Sequence, residues 1–162
     1  MMTLDPLLSA SPAIQIHVVL ALLALVLGPI ALWRKRRDRL HKTVGYVWIL
    51  AMGGAAIGSF AISSHFSPLG LGPIHLLSVY ALTGIVVGLR AIWRRDVATH
   101  KQVMQNMYVR GVALAGAFNF LPGRTMQRSL IPEVPELGYV IIALVVVWAF
   151  APVLRPKAAA RA

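Results

Sequence analysis

Residues 13–42 read AIQIHVVLALLALVLGPIALWRKRRDRLHK. From Ala13 to Trp33 no residue carries a formal charge, and six of the next nine are Lys or Arg: Arg34, Lys35, Arg36, Arg37, Arg39 and Lys42. An uncharged apolar run of this length is enough to cross the hydrocarbon of a bilayer, which takes roughly 20 helical residues. A basic cluster at its end is the mark of a loop beside a negatively charged leaflet. The run is not a secretory leader, because no basic residue precedes it, Asp5 does, and it is too long.

The same pattern recurs along the chain. Further apolar stretches cover residues 43–62, 74–93, 103–121 and 137–153. All five are expected to be helices, since lipid offers no partners to an open strand edge. The composition agrees. Hydrophobic residues make up 58% of 162 and charged residues 13%, more apolar surface than a small soluble chain can bury. Disorder, coiled coils and ordinary cytosolic enzymes are excluded on that ground. There is no cysteine, so disulfides and thiolate chemistry are excluded as well.

A net charge of +11 would suit a nucleic-acid binder if the cations formed a groove. They lie instead beside the spans. Six flank the first connection, Arg94, Arg95 and Lys101 the third, and Arg155, Lys157 and Arg161 the tail, against only Arg124 and Arg128 on the opposite side. No nucleic-acid partner is expected. The expected setting is the inner membrane of a bacterium, with the N-terminus outside and the C-terminus in the cytoplasm. In this scheme residues 1–12 form an outer segment, 13–122 a four-helix core, 123–136 an outer loop, 137–153 a fifth span and 154–162 a cytoplasmic tail.

The core reads as a duplication. Residues 74–101, IHLLSVYALTGIVVGLRAIWRRDVATHK, repeat the landmarks of 16–42 in order. Ile16-His17 matches Ile74-His75, Trp33-Arg34 matches Trp93-Arg94, and His41-Lys42 matches His100-Lys101, at offsets of 58 to 60. The repeats cover about 13–62 and 74–122. Each holds two helices, so the copies point the same way and are related by an axis along the membrane normal. The expected fold is therefore an all-α integral membrane protein of five transmembrane helices, four of them a duplicated two-helix repeat forming a bundle. Gly54 and Gly58, Gly84 and Gly88, and Gly111 and Ala115 supply small residues four apart for helix packing or for a homodimer.

Such a bundle would set histidines opposite each other. His17 and His75 stand at the outer ends of spans one and three, and His41 and His100 at the inner ends of spans two and four. Two facing imidazoles are the axial ligand set of a six-coordinate haem b. Two haems are thus expected, with Lys42, Lys101, Arg94 and Arg95 near the inner propionates. Three further readings remain open. His17, His65 and His75 would make an outer site for zinc or copper. His100, Met104 and Met107 share a helix face that would suit Cu(I), though Met is ordinary filler. The histidines would otherwise be structural, in a non-catalytic subunit or a binder of a lipid, quinone or other small molecule. Arg110 lies near mid-membrane with no acidic residue in any span, and is expected to meet a quinone, propionate or substrate, or to staple the bundle. No nucleophile motif, phosphate loop, paired carboxylate or zinc-protease signature is present, and enzymatic activity is left open.

Two resemblances follow from these residues. The paired histidines on a four-helix core resemble the transmembrane di-haem cytochromes b. That likeness implies electron transfer between a cytoplasmic or quinone donor and an outer acceptor. The segments His41-Lys42-Thr43-Val44-Gly45-Tyr46, Gly72-Pro73-Ile74-His75-Leu76-Leu77-Ser78, and His100-Lys101 with Met104 and Tyr108 form a second set. Ala115-Gly116-Ala117-Phe118 running to Pro122-Gly123-Arg124 completes it. Together they resemble an uncharacterised family of small bacterial polytopic membrane proteins, a domain of unknown function. This likeness covers about residues 13–128 and implies a multi-helix inner-membrane protein without naming an activity.

Overall fold

Large aliphatic side chains face outward and small ones inward. Leu50 is 74% exposed and Leu76 72%, whereas Ala24, Ala31, Ala51 and Ala81 are 6% exposed or less. This is the reverse of a soluble core, and it places the apolar exterior where lipid would lie. The computed structural model describes residues 5–62, 72–131 and 133–154, and among these every regular element is helical.

Helix α1 is a single turn, Asp5–Leu8, followed by α2, Pro12–Trp33, and α3, Arg39–Gly58, which ends in a 3-10 turn, Ser59–Ala61. Helix α4 spans Pro73–Trp93. Next come α5, Val97–Asn106, a π-helical segment, Met107–Val112, and α6, Ala113–Asn119. Asn106 and Ala113 keep right-handed helical torsions, so these three pieces form one rod. Short α7, Thr125–Leu130, and α8, Leu137–Leu154, complete the chain. Among the described residues, three helices, Pro12–Trp33, Arg39–Ala61 and His75–Trp93, are long and apolar enough to cross a membrane.

The helices start earlier than apolarity alone predicts, because aspartates cap them. Asp38 accepts from the His41 backbone N–H (3.0 Å) and starts α3 inside the basic cluster. Asp96 accepts from Thr99 N–H (3.0 Å) and starts α5 six residues before the apolar stretch. His41 and His100, which precede the apolar stretches, therefore stand in the first turns of these helices. Between α4 and α5, Arg95 adopts a left-handed conformation, φ 62°, which turns the chain back.

Helices α2 and α3 pack against each other most extensively, followed by α4 with α5, then α3 with α4. In lipid, apolar burial gives little drive for helices to meet, so close packing and interhelical hydrogen bonds carry the association. Both are present. A β-carbon on Gly84 would lie 2.7 Å from Met107 Sδ, and one on Gly88 2.5 Å from Met104 Cε. These two glycines of α4 are hollows filled by methionines of the fourth rod. That is a packing role for Met104 and Met107, and it leaves the Cu(I) reading without support.

Polar side chains donate to backbone carbonyls of neighbouring helices. Trp48 Nε1 donates to Ala24 O (3.0 Å), Gln105 Nε2 to Leu32 O (3.0 Å) and Tyr108 Oη to Leu25 O (2.8 Å). The last bond has a local cause. Pro29 sits inside α2 and has no N–H, so the carbonyl four residues earlier, that of Leu25, loses its helical partner. The Tyr108 hydroxyl supplies the missing donor, as membrane helices with internal proline require. Tyr108→Phe should then cost about 1–2 kcal/mol in the native background, in line with a buried acceptor left unsatisfied. In a Pro29→Ala background, where residue 29 donates again, the same change should cost close to nothing. Equal losses in both backgrounds, read by reversible unfolding in mixed micelles, would refute this coupling.

Candidate functional site at the basic end of the bundle

Four helix ends meet beside the first basic cluster: the C-termini of α2 and α4 and the N-termini of α3 and α5. Between them lies a cavity of about 890 Å³. Its apolar wall includes Trp33, Trp48, Ile49, Leu89, Ile92, Trp93 and Met104, and its polar rim includes Arg34, Lys35, Arg37, Lys42, Lys101, Tyr46 and Gln105. His41 and His100 both line it. The sequence reading placed these two histidines together, and they do border one space. It assigned Arg94 and Arg95 to the same region, but the cations at the cavity are Arg34, Lys35, Arg37, Lys42 and Lys101. Trp33 and Trp93 entered the sequence reading only as repeat landmarks, yet they form part of this wall.

The two imidazoles are not equivalent. His100 Nδ1–H donates to Gly88 O on α4 (2.8 Å). A carbonyl can only accept, so the proton is on Nδ1 and a neutral ring keeps its lone pair on Nε2. His41 Nδ1 is buried and has no hydrogen-bond partner among the described residues. Arg34 grips Asp38 with two bonds, Nε to Oδ1 (3.1 Å) and a terminal nitrogen to Oδ2 (2.5 Å). That contact, with the His41 N–H, holds the Asp38 carboxyl well below the usual carboxylate range and ties up one rim cation. Asp96 is likewise lowered by its bonds to Thr99.

The other pair is arranged differently. His17 Nδ1–H donates to Ala55 O on α3 (2.9 Å). His75 is 4% exposed and its Nδ1 accepts from the Gly72 N–H at 2.8 Å. The same nitrogen lies 3.3 Å from Gly72 O, a bond that would need the proton on Nδ1, and the shorter contact decides against it. The proton is then on Nε2, which is buried without a partner among the described residues. Phe60 packs on the ring, centroids 5.4 Å apart, and Ser59 in the 3-10 turn after α3 shares a hydroxyl hydrogen bond of 2.6 Å with Ser78 on α4. His65 lies outside the described residues. Among those described, no group of three or more His, Cys, Asp or Glu could hold a metal ion.

Arg110 falls within the π-helical segment, which the sequence did not announce because no Gly or Pro breaks the run at its start. It does not line the cavity.

Helical rods with an apolar exterior, gathered around a basic end, describe a membrane protein, and residues 14–151 match the model of a family described as Predicted membrane protein (DUF2306). The chain belongs to this family. The match extends beyond the motif-bearing segment 13–128 and takes in most of α8. The family carries no assigned function. No curated protein and no solved structure matches the chain.

Proposed function

We propose that this membrane protein holds a planar, anionic cofactor in the cavity at its basic end, and that haem b between His41 and His100 is the occupant that uses the groups gathered there. The supporting observation is the shared cavity, which joins two imidazoles, an indole-rich wall and a cationic rim. His100 adds to it. A ligating histidine commonly donates its Nδ1–H to a backbone carbonyl and keeps Nε2 for the metal, and His100 has that arrangement. Lys42, Lys101 and Arg37 would meet the propionates. The group would supply one-electron transfer, and the protein would hold it, charge-balanced, beside the cytoplasmic face.

The outer pair has less support. His75 presents an Nε2–H donor rather than a lone pair. A second haem there would require its ring to give up Gly72, so the reading carried forward is one haem per chain. In this scheme the α5–π–α6 rod and α8 are the fourth and fifth crossings. Asp38 and Asp96 cap matching helices, and Trp33, His41 and Lys42 share a cavity with Trp93, His100 and Lys101, as an internal duplication would leave them.

One observation favours a second reading, a binder of an anionic lipid or quinone whose histidines are structural. His17, His75 and His100 all bond backbone groups already. The discriminating measurement is a reduced-minus-oxidised visible spectrum of the full-length protein expressed with ample haem. A b-type α-band at about one haem per chain, abolished in both His41→Leu and His100→Leu, is the expected result. A folded wild-type protein without the band would overturn the haem assignment in favour of the second reading.

A further inference from the structure

Arg110 poses a problem that the cavity does not solve. It stands ten residues from His100 and ten from Phe120 on the fourth rod. With the rod taken as the fourth crossing, as proposed above, a rise near 1.5 Å per residue sets Arg110 roughly 15 Å from each of these residues, close to the midplane of a hydrocarbon core about 30 Å thick. An arginine there reaches a headgroup only by snorkelling with local thinning or water defects, and its burial is costly. It is half-buried and has no hydrogen-bond or ion-pair partner among the described residues. The whole chain holds five acidic residues, Asp5, Asp38, Asp96, Glu133 and Glu136, and all lie outside the long helices. Neither this chain nor a second copy of it can bring a carboxylate to that depth.

The neighbours of Arg110 are committed to its own bundle. Met107 fills the Gly84 hollow, Gly111 lies against Tyr80 on α4, and Tyr108 bonds α2. Helix α8 packs on α6, beyond the π segment. That segment, 107–112, is a π turn, a departure from α geometry that is frequent at functional sites.

We propose that Arg110 is the docking point for a transmembrane helix of another protein carrying an Asp or Glu at mid-membrane depth. Charge complementarity defines the partner, a single carboxylate on an otherwise apolar helix, paired bidentately with the guanidinium. This inference rests on the rod being the fourth crossing, and it does not depend on the cofactor.

The test uses full-length protein in neutral phospholipid vesicles and a polyleucine transmembrane helix as probe, with association read by resonance energy transfer at alkaline pH. The probe carries Glu, Gln or Leu at its centre, or Glu displaced two turns toward either end. The central-Glu helix should associate at least about tenfold more tightly than the Leu helix, the scale of a desolvated charge pair. The displaced versions should not, and Arg110→Leu should abolish the difference while Arg110→Lys keeps part of it. Association equal for Glu and Leu probes would overturn the proposal. So would association that survives Arg110→Leu, or that is strongest with Glu displaced toward residues 34–42. If the leucine variant fails to fold, the positional series with the native protein decides alone.

Discussion

Replacing Gly28 by valine should leave little folded protein. A β-carbon at Gly28 would overlap the ring of Tyr108. The ring has nowhere to go. Its hydroxyl is bonded to Leu25 O at 2.8 Å, Trp33 packs edge-on at 5.7 Å, and Trp48 lies tilted at 6.1 Å. Overpacking usually costs about 1–3 kcal/mol when neighbours can shift. Here the side chain that must move also satisfies the carbonyl freed by Pro29, so relief of the clash breaks the bond. The loss should exceed that range and appear as aggregated or protease-sensitive protein after mild detergent extraction. Gly58→Ala is the control, because nothing lies within 4 Å of a β-carbon there. It should be neutral or slightly stabilising, as expected for a glycine removed from a helix. A Gly28→Val protein as well folded as Gly58→Ala would show that α2 does not seat Tyr108.

Different parts of this molecule were legible to different degrees. Apolar runs broken by basic clusters located the long helices, because membrane spans are bounded by length and charge and both are local. Helix starts were not visible from apolarity. Asp38 and Asp96 carry α3 and α5 into polar sequence, and this is what puts His41 and His100, just ahead of the apolar stretches, in the first turn of each helix. The glycines at 84 and 88 were rightly read as packing positions, but their partners are methionine side chains and not a second backbone. What Gln105 and Tyr108 do depends on carbonyls 73 and 83 residues away, a pairing no local pattern contains. The histidine pairs were a symmetry argument. His41 and His100 do share a cavity. His17 and His75 hold unlike partners, Ala55 on another helix and Gly72 at the start of the same one. A sequence repeat preserves residue types, whereas proton positions depend on the backbone groups nearby.

Trp48→Ala should be the most damaging truncation in the bundle, and Trp48→Phe should separate its two contributions. The side chain is 1% exposed, donates to Ala24 O at 3.0 Å and forms part of the cavity wall. Ala24 O keeps its helical N–H partner in principle, so losing the indole bond alone should cost about 1 kcal/mol, the scale found for interhelical bonds in membranes. Truncation to alanine also removes the ring that fills the space between α2, α3 and Tyr108. Large-to-small changes of this kind cost about 3–5 kcal/mol in well-packed interiors. Much of that is lost contact rather than lost hydrophobic transfer, so it should persist in lipid, where a void also forfeits its neighbours. Unfolding titrations in mixed micelles should therefore rank wild type, Trp48→Phe and Trp48→Ala with a small first step and a large second one. On the proposed haem assignment, haem content should follow the same order. Phenylalanine keeps a flat wall beside His41 and His100, whereas alanine opens the cavity toward Tyr108. Similar losses in stability for both variants would mean that the hydrogen bond, and not the packed ring, holds α3 against α2.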